Sequence, residues 1–197
     1  MLILGALACV MLYHLYSVLG RRVGRQPEDG VRRLGLRVAP EADAPPRPSD
    51  AAPPSGVAAI RARDPAFEPS RFLDGARTAY EGVVRAFASG DREALKRLVS
   101  SEVFELYSGA MATREAEGRS ETVEFLHPAR ADLDDAEMEG DVARARVRFL
   151  AELRSRMKGP EGEAVDDRRT AELWTFERRF GSKDANWLLV RVDAAET

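Results

Sequence analysis

The residues of this chain that could do chemistry are few. There are two histidines, His14 and His127, and one cysteine, Cys9. His127 precedes Pro128 and has no nucleophile motif beside it, so a Ser/His/Asp triad has nothing to build on. Gly159-Pro160-Glu161-Gly162 fits neither a Walker loop nor a dinucleotide fingerprint. Asp132, Asp134 and Asp135 lack the spacing of a calcium loop, and a single cysteine supplies no zinc cluster. The remaining candidate is Glu172, which strand alternation puts on one face with Trp174 and Phe176. A carboxylate held among apolar rings can serve as a general base; Asp132 is the other acid such a role could use. The sequence thus predicts no catalytic residue, no metal ligand and no cofactor. A carboxylate-driven isomerase or hydratase stays as an alternative.

Three arginines, Arg144, Arg146 and Arg148, recur at every second position. They could meet phosphate or an acidic partner, or pair across strands with residues such as Glu172 and Asp132. The second outcome is the expectation, with an acidic face at Asp132 and Asp134 opposite the row. Residues 70–197 hold 21 Lys and Arg against 26 Asp and Glu, a net of −5. A nucleic-acid binder has the opposite sign, so no nucleic-acid partner is expected.

The elements that position these residues follow from periodicity. Phe72, Ala76, Ala79, Tyr80, Val83 and Phe87 predict a helix from Ser70 or Asp74 to about Ser89. Gly90 ends it and Asp91 caps a second over roughly 92–99, with Leu95, Leu98 and Val99 inward. Ser100 caps a third, about 101–117, with Val103, Leu106, Tyr107 and Ala110 inward. After Gly118 the period falls to two. Strands are predicted near Val123–Phe125, 129–138, 142–156, 168–180 and 186–192, with a loop from Lys158 to Glu163. On the third, Ala143, Ala145, Val147, Phe149, Ala151 and Leu153 share one face, and the arginine row takes the other. Helices followed by a meander predict an α+β domain, about three helices packed on a curved antiparallel sheet. Such a cone can enclose an apolar pocket, with Val147, Phe149, Trp174, Phe176, Leu188 and Val190 as its candidate partner-binding lining. Ordinary core is the competing account of the same residues.

Residues 1–20 predict a transmembrane anchor. Leu2 to Leu19 carries no charge, and eighteen helical residues rise about 27 Å, close to the roughly 30 Å of a bilayer core. Arg21, Arg22 and Arg25 follow at once, which predicts an outside N-terminus, a cytoplasmic remainder and contact of these arginines with the membrane surface. Residues 21–69 hold nine of the eleven prolines and predict a disordered Pro/Ala-rich tether with a basic start. Residues 70–197 make the folded domain.

Five segments occur in order: Ser17-Val18-Leu19-Gly20-Arg21-Arg22, Phe72-Leu73-Asp74-Gly75-Ala76-Arg77, Phe87-Ala88-Ser89-Gly90-Asp91, Glu172-Leu173-Trp174-Thr175-Phe176-Glu177-Arg178 and Asn186-Trp187-Leu188-Leu189-Val190. This ordered set resembles the bacterial Tim-A-like adaptors, relatives of the mitochondrial inner-membrane translocase subunit 44. The resemblance implies a C-terminal domain similar to the nuclear-transport-factor-2-like cone, with an apolar pocket and contact of its first helices with anionic lipid. It implies a non-catalytic adaptor or scaffold at the bacterial inner membrane that binds a protein partner. A lipid or hydrophobic-ligand carrier is the alternative on the same shape, and no small-molecule substrate is expected.

Overall fold

The computed structural model describes residues 56–182 and 186–195. The expected anchor, the basic residues Arg21, Arg22 and Arg25, and most of the expected tether lie outside them. Among the described residues no helix is long and apolar enough to cross a membrane. The elements are α1 (Val57–Arg63), α2 (Pro69–Ser89), α3 (Arg92–Lys96), α4 (Ser101–Ala116), β1 (Ser120–Phe125), β2 (Arg130–Glu139), β3 (Val142–Gly159), β4 (Gly162–Arg179) and β5 (Leu188–Ala194). All strand pairs are antiparallel. The long β3 pairs along one edge with β4 and along the other with β2 and then β1, and β5 completes the sheet beyond β4. The chain is therefore α+β, with its helices on one face of an antiparallel sheet.

Local chemistry accounts for these boundaries. Pro69 stands in the first turn of α2, where its missing N–H costs nothing. Gly90 closes the helix at φ 79°, a left-handed conformation that glycine adopts without strain. The Asp91 carboxylate accepts from Ala94 N at 2.9 Å, and Ser100 Oγ from Val103 N at 3.3 Å, each satisfying an orphan donor of the next helix. Phe72, Ala76, Tyr80 and Val83 line the buried stripe of α2. On β3, Ala143, Ala145, Val147, Phe149, Ala151 and Leu153 all face inward and are buried. The α3–α4 connection is stitched to β5 by Leu189 N–Leu98 O at 3.0 Å and Ser100 N–Leu189 O at 2.8 Å.

Four expectations need correction. The packed body begins before Ser70: Ile60 of α1 is fully buried and Phe67 nearly so, because Val57, Ile60 and Phe67 supply an apolar edge within the proline-rich stretch. Strand β4 begins at Gly162, since Lys158 pairs with Glu163 and Gly159 with Gly162 across a tight turn. Leu106 is 50 % exposed; the inward line of α4 is Val103, Tyr107, Met111 and Arg114. The arginine row does pair across strands, but not with Glu172, which lies on the inner face. Arg144 meets Glu137, Glu139 and Glu177 at 3.0–3.4 Å, and Arg146 meets Asp134 at 2.6 Å. Asp132, also on the outer face, pairs with Arg130 at 2.8 Å. Outer-face pairs of this kind contribute little each.

Candidate functional site

The inner face is closed by an aromatic stack. Helix α2 delivers Tyr80, whose ring lies parallel to Phe149 at 4.4 Å and edge-on to Trp174 at 4.7 Å and Phe125 at 5.8 Å. Phe176 completes the set, 6.4 Å from Phe149 and 6.3 Å from Trp174. Of the six residues put forward as a pocket lining, Val147, Phe149, Trp174 and Phe176 are brought together here, all buried. Leu188 and Val190 are not. A bulge between Thr175 and Phe176 shifts the β4–β5 register, so Phe176 faces Leu189 and Trp174 faces Val192. Leu189 is thereby the buried residue. Val190 lines an outer-face hollow of about 410 Å³ with Asp135, Glu137, Arg144, Arg146, Thr175, Arg191 and Asp193.

Glu172 sits at the rim of this stack. Its Oε2 accepts from Trp174 Nε1 at 3.1 Å, and the Tyr80 hydroxyl beside it is bonded to Thr170 Oγ1 at 3.1 Å. Burial raises the Glu172 pKa above the ordinary glutamate range, against the opposing hydrogen bonds of Trp174 and Tyr80 and the charge of Arg168. Burial, reinforced by the Glu172 charge, pushes the Tyr80 and Tyr107 hydroxyls up as well. A carboxyl whose folded pKa exceeds its unfolded value favours the fold fully at low pH and loses that contribution as pH rises through the folded value. Unfolding of the Glu172→Gln variant followed from pH 4 to pH 8 should therefore lack this decline, and the variant should be the more stable at pH 8. Equal pH slopes for the two proteins would contradict the assignment.

The accessible feature lies at the other end of α2. A groove of about 540 Å³ opens between the α1–α2 connection, the start of α2, the end of α3 and the start of β5. Its floor is aromatic: Trp187 packs 4.8 Å from Phe72 and 6.0 Å from Phe67, and Phe72 meets Phe176 edge-on at 6.1 Å. One wall is held in place by Arg178, bonded to Asp64 at 2.8 Å with its guanidinium 4.9 Å over Phe180. Glu68 on the rim is bonded to Arg61 at 2.8 Å. Arg71 and Arg97 also line the groove, and among the described residues neither makes an ion pair or side-chain hydrogen bond. Gly75 leaves space: a Cβ built there meets nothing within 4 Å. Aromatic area with a few charged groups at its edge suits an inserted apolar side chain on a charged segment. Sequence periodicity missed this site because Phe67 fell in the stretch read as tether. The available signal was Val57, Ile60 and Phe67 followed by Pro69 at a helix start.

Residues 54–194 match the family described as the Tim44-like domain. None of the curated proteins matches. Among solved structures, the intermembrane space region of the chloroplast protein ARC6 is similar at TM-score 0.50 and 16 % identity, over 64 % of this chain and 97 % of that one. A periplasmic fragment of TraM is similar at TM-score 0.46 and 14 % identity, over 66 % and 100 %. A nuclear-transport-factor-2-like protein of Salmonella enterica follows at TM-score 0.42 and 12 % identity, over 66 % and 96 %.

Proposed function

Since this chain belongs to the Tim44-like domain family, we propose that it is a non-catalytic adaptor that holds a protein partner at the cytoplasmic face of a bacterial inner membrane. Residues 1–20 would anchor it, Arg21, Arg22 and Arg25 would lie against anionic headgroups, and the stretch before α1 would set its reach. The observation that carries the reading is the aromatic groove around Trp187, open to solvent and rimmed by Arg71 and Arg97. The filled inner face also favours an adaptor over a carrier, because Tyr80 occupies the space above Phe149 and Trp174 where a lipid chain would lie. A tether raises the effective concentration of the groove for partners at the same membrane.

The test is photo-crosslinking of the full chain in native membranes. Probes at Gly75 and Asn186, which line the groove, should each capture one and the same protein. A probe at Val165, 53 % exposed on β4, should not. The captured protein should copurify with the full chain in detergent. Identical capture at all three positions, or lipid alone, would overturn the reading.

A further inference from the structure

The groove adjoins the point where the described chain begins. Asp64, on its rim, lies one short helix from Gly56, and seven helical residues span only about 10 Å. The segment before Gly56, residues 39–54, contains six prolines, at 40, 45, 46, 48, 53 and 54. Its charges are Glu41, Asp43 and Asp50 against Arg47, a net of −2. The groove offers the complement: the half-buried Trp187 ring, backed by the buried Phe67 and Phe72, for proline faces, and Arg71 and Arg97 for the acids. Aromatic-lined grooves take proline-rich segments because these are stiff before binding and lose little entropy on docking.

We propose that residues 39–54 dock in this groove in cis, so that the chain's own proline-rich segment competes with the protein partner. Extended at about 3.1 Å per residue, residues 45–54 reach about 31 Å, ample to fold back past α1. Gly56, with φ 59°, lets the chain change direction there. A tethered segment acts at an effective concentration in the millimolar range, so an intrinsic millimolar affinity half-fills the groove. Partner binding then requires displacement, and its apparent affinity falls as the segment fills the site. The inference rests on the groove accepting a peptide, as proposed above, but not on the identity of the partner.

The test uses the full chain with Cys9→Ser, reconstituted in nanodiscs. Ser49→Cys is paired with Gly75→Cys, the groove position with open space. A disulfide should form within the molecule under mild oxidation. Replacing the six prolines by serine, or combining Arg71→Glu with Arg97→Glu, should slow its formation roughly tenfold, a change of about 1.4 kcal/mol. Far-UV circular dichroism confirms that each variant is folded. Unchanged rates in both variants would mean that the segment merely passes by, which overturns cis docking. Partner capture at Gly75 is measured separately, so it can stand when cis docking fails.

Discussion

Replacing Arg114 by alanine should lower folding stability by about 3–5 kcal/mol, the usual cost of breaking a buried ion pair from one side. Arg114 is 7 % exposed and its Nη1 lies 3.2 Å from Glu121 Oε2. Its Nη2 donates to Phe87 O at 2.6 Å and Ala88 O at 2.9 Å. These carbonyls belong to the last turn of α2, where intrahelical donors run out; Phe87 O also accepts from Gly90 N, at 3.4 Å. The guanidinium also lies 5.1 Å over the Phe87 ring. One side chain on α4 thus ties the end of α2 to β1, and Ser155 Oγ extends the link to β3 by donating to Glu121 Oε1 at 2.6 Å. Alanine would strand Glu121, itself only 10 % exposed, with Arg168 at 3.8 Å as its nearest cation. Combining Arg114→Met with Glu121→Met should recover most of the loss, because apolar replacement of both partners removes the uncompensated charge. Urea unfolding of the unsubstituted protein and the two variants by tryptophan fluorescence checks this. A loss under 1 kcal/mol for Arg114→Ala, or a double variant no better than the single, would show that the pair does not hold the helices to the sheet.

Arg114 also marks where sequence reasoning stops. Its position on α4 carries no periodic signal, since a charged residue on an inward line looks like a solvent residue until its partners are known. By contrast, the alternation from Ala143 to Leu153 displayed the inner face of β3 directly, because a half-buried strand must repeat every second residue. Gly90, Asp91 and Ser100 likewise revealed the helix boundaries, since each meets a local backbone need. Glu172 was placed on the correct face by the same alternation, two residues from Trp174. Leu188 and Val190 were not, because a bulge reverses the facing of everything beyond it and leaves no compositional trace. The groove was hidden for a different reason. Its floor combines Phe67, Phe72 and Trp187 from distant stretches, and only their packing at 4.8–6.0 Å brings them to one surface.

Substituting leucine for Gly75 should stabilise the fold while abolishing partner capture at the groove. Gly75 lies within α2, where glycine costs roughly 0.5–1 kcal/mol relative to alanine through the freedom it loses on folding. A side chain there meets no obstacle within 4 Å of its Cβ, so most of that cost is recovered. The same side chain projects into the space that an inserted residue of the partner would need. Capture should fall at least tenfold, equivalent to about 1.4 kcal/mol of binding. Gly109→Leu is the matched control: it is helical, and a Cβ there also meets nothing within 4 Å, but it lies on α4 outside the groove lining. It should raise stability by a similar amount and leave capture from Asn186 unchanged. Most substitutions that impair binding also weaken the fold, so a fall in capture is ambiguous unless stability is measured beside it. Here the two quantities move in opposite directions at Gly75 and separate at Gly109. Undiminished capture by a Gly75→Leu protein of raised stability would remove the groove from the function.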